Sequence, residues 1–139
     1  MTVCIDSSVL IAAMLVGEPF HAECNAVLDR GAVGICSHGL VETFSTVTGG
    51  RQGMKMSASL AADVLENDYA PGFTVTSLTP VEILRAMNEC ERRGVRGGAI
   101  YDYLHLAAAR KAKAAKLFTL NVRDFRSFHR PGDPEIVHP

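Results

Sequence analysis

The chain has 139 residues, of which 47% are hydrophobic and 21% charged, and its formal net charge is -1. That length allows one sizeable core and hardly a second, so a single domain over residues 1–139 is expected to carry the whole function. The balance excludes a disordered, collagen-like or coiled-coil chain. The longest apolar run, Val9 to Val16, is too short to span a bilayer and lacks the leader of a secretory signal, so a cytoplasmic protein with no membrane association is expected.

Val3-Cys4-Ile5 is a short apolar run halted by Asp6-Ser7-Ser8, and the apolar stretch to Val16 then ends at Gly17, a pattern of strand, cap and helix. A second helix is predicted from about Pro19 to Arg30, with Phe20, Cys24, Val27 and Leu28 at helical spacing and Gly31 as its stop. Gly34-Ile35-Cys36 reads as a strand. Residues 39–48 put Leu40, Val41, Phe44 and Val47 on one helical face, with Glu42 inside the helix and Gly49-Gly50 breaking it. After a loop from Arg51 to Met56, Ser57 caps a helix bearing Leu60, Ala61, Val64 and Leu65, which Pro71-Gly72 ends; its apolar residues suit an interface or the core equally. Phe73-Thr74-Val75 is the next strand, and Thr79-Pro80 opens a helix that runs to Gly94. Beyond Gly97-Gly98, residues 100–113 form a helix with Asp102 in its first turn, and Leu117-Phe118-Thr119 reads as the last strand. No regular element is predicted after it.

Strands alternating with helices imply right-handed crossovers and a parallel sheet covered on both faces, with ligands at the strand C-terminal ends. Cys4, Cys24, Cys36 and Cys90 form no C-x-x-C pair and are expected to be buried free thiols. Residues 1–91 carry 4 basic against 11 acidic side chains, and residues 92–139 carry 10 against 4. Such asymmetry suits an anionic partner or a solvated basic face about equally.

Asp6, Glu42, Asp102 and Asp124 each lie at the edge of an apolar element. Each has a local explanation: Asp6 as a helix cap, Glu42 as a solvated helix residue, Asp102 as a complement to the helix dipole, Asp124 as an Asx-turn former with Asn121 doing similar work. A shared explanation is a cleft in which gathered carboxylates, which repel one another, hold Mg²⁺ or Mn²⁺. Such an ion activates water and stabilises charge in phosphodiester hydrolysis.

The segments Val3-Cys4-Ile5-Asp6-Ser7-Ser8-Val9-Leu10, Ser37-His38-Gly39-Leu40-Val41-Glu42-Thr43-Phe44, Tyr101-Asp102-Tyr103-Leu104-His105-Leu106-Ala107-Ala108-Ala109 and Leu117-Phe118-Thr119-Leu120-Asn121-Val122-Arg123-Asp124-Phe125 resemble PIN-domain ribonucleases, in particular VapC-type toxins. The resemblance spans nearly the whole chain and implies a three-layer α/β/α fold with a short central parallel sheet of four to five strands. It implies that Asp6, Glu42 and Asp102 bind the metal, with Asp124 as the fourth ligand and Asn121 the alternative; Thr119 and Ser7 are second donors that orient carboxylates. It further implies Mg²⁺-dependent cleavage of single-stranded RNA or RNA loops to a 5′-phosphate and a 3′-hydroxyl, a VapB-type antitoxin partner and a homodimer.

Arg92, Arg93, Arg96, Arg110, Lys111, Lys113, Lys116, Arg123, Arg126 and Arg130 are available for RNA phosphates, while few aromatics are present for base stacking. The five histidines show no metal-ligand spacing; His38 and His105 are expected to be satisfied by backbone partners, and His21, His129 and His138 look peripheral. Two other readings are a PIN-like module that binds RNA or protein without cutting, and a haloacid-dehalogenase-like phosphatase using Asp6 as nucleophile. The latter lacks its second acid, because Ser8 stands two positions on.

Overall fold

The computed structural model describes residues 2–49 and 56–139. Gly50 and, but for Met56, the expected loop from Arg51 to Met56 lie outside these residues. The described elements are β1 (Val3–Ile5), α1 (Ser7–Met14), α2 (His21–Leu28), β2 (Val33–Cys36), α3 (Ser37–Thr48), α4 (Ala58–Val64), β3 (Phe73–Thr76), α5 (Pro80–Arg93), α6 (Ala99–Lys111), β4 (Lys116–Phe118), α7 (Val122–Phe128) and β5 (Glu135–Val137). A wide turn, Leu65–Tyr69, and a 3-10 turn, Ala70–Gly72, extend α4 towards β3.

All five strands pair in parallel in the order β3-β2-β1-β4-β5. The chain fills one side of β1 first and then returns to the other, so the order reverses between β1 and β4. A crevice opens at that point, at the strand C-terminal ends. Strand alternation sends Val3, Ile5, Val33, Ile35 and Phe118 into a core with α1 and α2, and Cys4, Leu117 and Ile136 into a second core with α5, α6 and α7. The expected three layers result. Among the described residues no helix is long and apolar enough to cross a membrane.

The helix stops and starts follow the chemistry of the termini. Asp6 caps α1 by accepting from Val9 N, and Ser57 caps α4 by accepting from Leu60 N. Thr79 and Glu82 form a reciprocal capping box at the start of α5, and Gly94 ends that helix in the left-handed conformation.

Two elements depart from the expectation. Residues 122–128 form α7, so Asp124 sits in the first turn of a helix and not in an Asx turn; Phe125 and Phe128, one turn apart, are buried and hold it to the second core. Glu135–Val137 then adds β5 at the edge of β4. Arg93 fixes this C-terminal segment by donating to Phe128 O at 3.1 Å and to the carboxylate of Asp133, which also accepts from Arg130 N.

Candidate active site

Asp6 leaves the end of the central strand, and its carboxylate is almost wholly buried. Its Oδ1 accepts from Ser8 Oγ at 2.6 Å and Val9 N at 3.3 Å, and its Oδ2 accepts from Thr119 Oγ1 at 2.7 Å. A buried carboxylate is tolerable only with such donors. The donors are themselves held: Ser8 Oγ accepts from Leu120 N at 3.0 Å, and Thr119 Oγ1 accepts from Asn121 N at 2.9 Å. These bonds tie β1 to β4 across the crevice. Asp6 is thus a helix cap fixed at the C-terminal end of the central strand.

Glu42 lies on α3, which starts directly from the end of β2. Burial pushes its pKa up, but the hydrogen bond with His105, the His105 and His38 charges and the hydroxyl of Ser7 together hold it below the ordinary glutamate range. Asp102 projects from the first turn of α6, and Asp124 from α7. The two acids face the same cleft of about 350 Å³, whose wall also includes Gly98, Ala99 and Ser127.

Asp102 feels the charges of the other acids, although among the described residues no three of the four bring carboxylate oxygens within 4.8 Å of one another. Its pKa is pushed up to about 6, first by burial and then by the negative charge of Asp6, with a lowering by His105 and further raising by Glu42 and Asp124. Carboxylates that repel one another in this way, and that offer only hard oxygen donors, are suited to a divalent cation such as Mg²⁺ or Mn²⁺. Asn121 is exposed at the start of α7, and its side chain caps nothing there.

The expectation for His38 and His105 needs correction. His105 is buried and among the described residues donates no bond to backbone; its Nε2 lies 2.7 Å from Glu42 Oε1. His38 does meet a backbone partner, Tyr101 O at 3.2 Å, but its Nε2 is also 3.3 Å from Glu42 Oε1. The two rings lie 4.3 Å apart. Single-chain spacing hid this group because His105 is 63 positions from Glu42. Ser8 was also missed as an orienting residue; its position two residues after Asp6 was the available signal.

Four of the ten basic residues named above are engaged within the fold. Arg93 and Arg110 pair with Asp133 and Glu89, Lys111 with Glu82, and Arg130 with backbone carbonyls. Among the described residues, Arg92, Arg96, Lys113, Lys116, Arg123 and Arg126 have no ion pair.

The family model of the PIN domain matches residues 3–130. The chain belongs to the PIN domain family. Ribonuclease VapC27 of Mycobacterium tuberculosis is 27% identical over 133 residues, covering 96% of this chain and 94% of that protein. Among solved structures, VapC20 of Mycobacterium tuberculosis, described as a sarcin-ricin loop cleaving toxin, superposes with a TM-score of 0.74 at 19% identity over 99% of each chain. A toxin-antitoxin complex from Klebsiella pneumoniae gives 0.66 at 18%, covering 99% of this chain and 97% of that one. FitAcB from Neisseria gonorrhoeae gives 0.69 at 14%, with coverage of 99% and 97%. At these identities the structural likeness shows the shared PIN fold. The four acidic positions all lie within the matched span.

Proposed function

We propose that this PIN domain is a metal-dependent endoribonuclease and the toxin of a type II toxin-antitoxin pair. The observation that supports this reading is a cleft lined by Asp102 and Asp124, in which the negative charges of Asp6, Glu42 and Asp124 all raise Asp102. Membership of the PIN family and the likeness to a protein named a ribonuclease support the reaction class.

In this reading Asp6, Glu42, Asp102 and Asp124 hold Mg²⁺, with Mn²⁺ as a substitute and Asn121 as an alternative to Asp124. The ion supplies Lewis acidity and neutralises the charge that develops during hydrolysis of the RNA phosphodiester. The protein's own part is to orient and to bind. Thr119 and Ser8 fix the two oxygens of Asp6, while Ser7 and His105 fix Glu42. Arg123, next to Asp124 in α7, is available to hold the phosphates of single-stranded RNA or an RNA loop, whereas Arg126 lines a separate pocket with His129, Glu135 and Ile136. A VapB-type antitoxin and a homodimer belong to the same proposal; several structures of this fold are toxin-antitoxin complexes.

The phosphatase alternative is disfavoured by the surroundings of Asp6. Both of its oxygens already accept short hydrogen bonds from Thr119 and Ser8, which lowers their nucleophilicity. The test is incubation of purified, antitoxin-free protein with structured and unstructured RNA in Mg²⁺, Mn²⁺ or EDTA, beside an identically prepared Asp102→Asn variant. Cleavage that requires metal and is absent from the variant is expected. Equal cleavage by both proteins would overturn the proposal, and RNA binding without cleavage in both would favour the inert module.

A further inference from the structure

His38, Glu42 and His105 present three donor atoms within 4.8 Å of one another, the one such His, Cys, Asp or Glu group among the described residues. His38 and Glu42 are four residues apart on α3, one helical turn, and His105 comes across from α6. Gly39 makes the crossing possible, because a Cβ there would lie 2.9 Å from His105 Cε1.

We propose that these three residues form a second metal site, selective for a borderline transition ion of the Zn²⁺ class and distinct in chemistry from the all-oxygen cleft beside it. Two imidazoles and one carboxylate are a donor set that suits Zn²⁺ and its neighbours and is a poor choice for Mg²⁺, which prefers oxygen. Ligands about 2.1 Å from a tetrahedral ion stand about 3.4 Å apart. His38 Nε2 and Glu42 Oε1 are already 3.3 Å apart, the 2.7 Å contact of Glu42 with His105 has to open, and the two histidine donors already lie within 4.8 Å of one another. Orientation is partly built in: His38 Nδ1 lies 3.0 Å from Cys36 Sγ, while Nε2, hydrogen-bonded to Tyr101 O at 3.2 Å, lies 3.3 Å from Glu42 Oε1 and has to exchange that carbonyl for the ion.

His105 brings a cost. With the ion on Nε2, the proton moves to Nδ1, which is buried without a partner among the described residues. An unsatisfied buried donor of that kind weakens binding by about ten- to a hundredfold, so the site is moderate in affinity and leaves a coordination position open to water. Zn²⁺ occupancy would commit Glu42 Oε1 and part of the carboxylate's charge, and so weaken what Glu42 offers the acidic cleft. That consequence alone rests on the nuclease reading; the binding itself does not.

The experiment is metal binding by the whole chain without RNA. Chelator-treated protein is titrated with Zn²⁺ by calorimetry and with Co²⁺ by visible absorption, in excess Mg²⁺, as wild type, His38→Gln, His105→Gln and Asp102→Asn. One equivalent is expected to bind wild type and Asp102→Asn alike, with the visible bands of low-coordinate Co²⁺ and no sulfur-to-cobalt charge-transfer band. Binding is expected to fall at least about thirtyfold in either histidine variant. His38 is only half-buried, so His38→Gln remains decisive even if His105→Gln fails to fold. Unchanged affinity in His38→Gln, loss of binding in Asp102→Asn, or a thiolate band from Cys36 would each overturn the site. RNA cleavage assays play no part in these outcomes, so a failed nuclease reading leaves the result interpretable.

Discussion

Thr119 Oγ1 donates to Asp6 Oδ2 at 2.7 Å, joining two buried side chains 113 positions apart at the place where the strand order reverses. The bond orients the Asp6 carboxylate and links the ends of β4 and β1. Thr119→Val keeps the shape and removes the donor, leaving a buried carboxylate oxygen unsatisfied. A loss of about 2 kcal/mol in urea unfolding is expected, with Mg²⁺ affinity lowered about tenfold or more in calorimetry. Thr119→Ser is expected to restore most of both. A valine variant of unchanged stability and affinity would remove the orienting role.

Asp102 predicts an opposition between stability and metal binding. Its folded pKa of about 6 lies above the ordinary 3.8, so between those values the folded state keeps a proton that the unfolded state has lost. Stability therefore falls as pH rises through this window, and the penalty is complete above about pH 6. Asp102→Asn abolishes it. In metal-free buffer at pH 8 the variant is expected to be more stable than wild type by about 1 kcal/mol, a value discounted for partial solvent access, with the difference shrinking as pH is lowered towards 4. Urea unfolding across that range checks it; a destabilised variant at pH 8 would contradict the crowding of the acids.

Gly39 is in the first turn of α3, where alanine is ordinarily the better helix former by about 1 kcal/mol. Here an added Cβ would meet His105 Cε1 at 2.9 Å and Ile35 side-chain carbons at 3.0 Å. Gly39→Ala is expected to reverse the propensity and destabilise by about 1–3 kcal/mol, because α3 must move away from α6 and β2. Thermal unfolding gives the sign directly. A stabilised Gly39→Ala would show that the approach of α3 to His105 is looser than described.

Asp133 holds the C-terminal segment. Burial pushes its carboxyl pKa up, but Arg93, the Arg130 N–H and Arg110 outweigh this and hold it below the ordinary range. A depressed folded pKa contributes stability that is present above the unfolded value, about 3.9, and is lost as pH falls below it towards the folded value. Asp133→Ala also leaves Arg93 with little compensation, and a cost of about 3 kcal/mol is expected. Hydrogen exchange should then accelerate first at the amides of β5, and exchange spread evenly over the sheet would argue against a local clamp.

The first four strands and first six helices were legible because their signals are local. Val3-Cys4-Ile5 stops at an acid with capping geometry, Thr79 and Glu82 satisfy one another within four residues, and Gly94 ends α5 in a conformation that favours glycine. Asp6, Glu42, Asp102 and Asp124 could be singled out as acids at element edges, and the order of their segments carried the PIN resemblance. The C-terminal elements carried no comparable signal. α7 is seven residues long and β5 three, too short for periodicity, and each exists because a completed neighbour offers it a partner: the apolar pocket for Phe125 and Phe128, the free edge of β4 for Glu135–Val137. The same holds for side chains. Composition and spacing marked Glu42 as an acid on a helix, but only the packing of α6 against β2, with Gly39 lacking a side chain in between, brings His105 within 2.7 Å of it. Local sequence determines which residues cap, turn and alternate, because those forces act within a few residues; which distant groups share a charge or a proton is decided by the tertiary structure, because electrostatic coupling depends on distance in space.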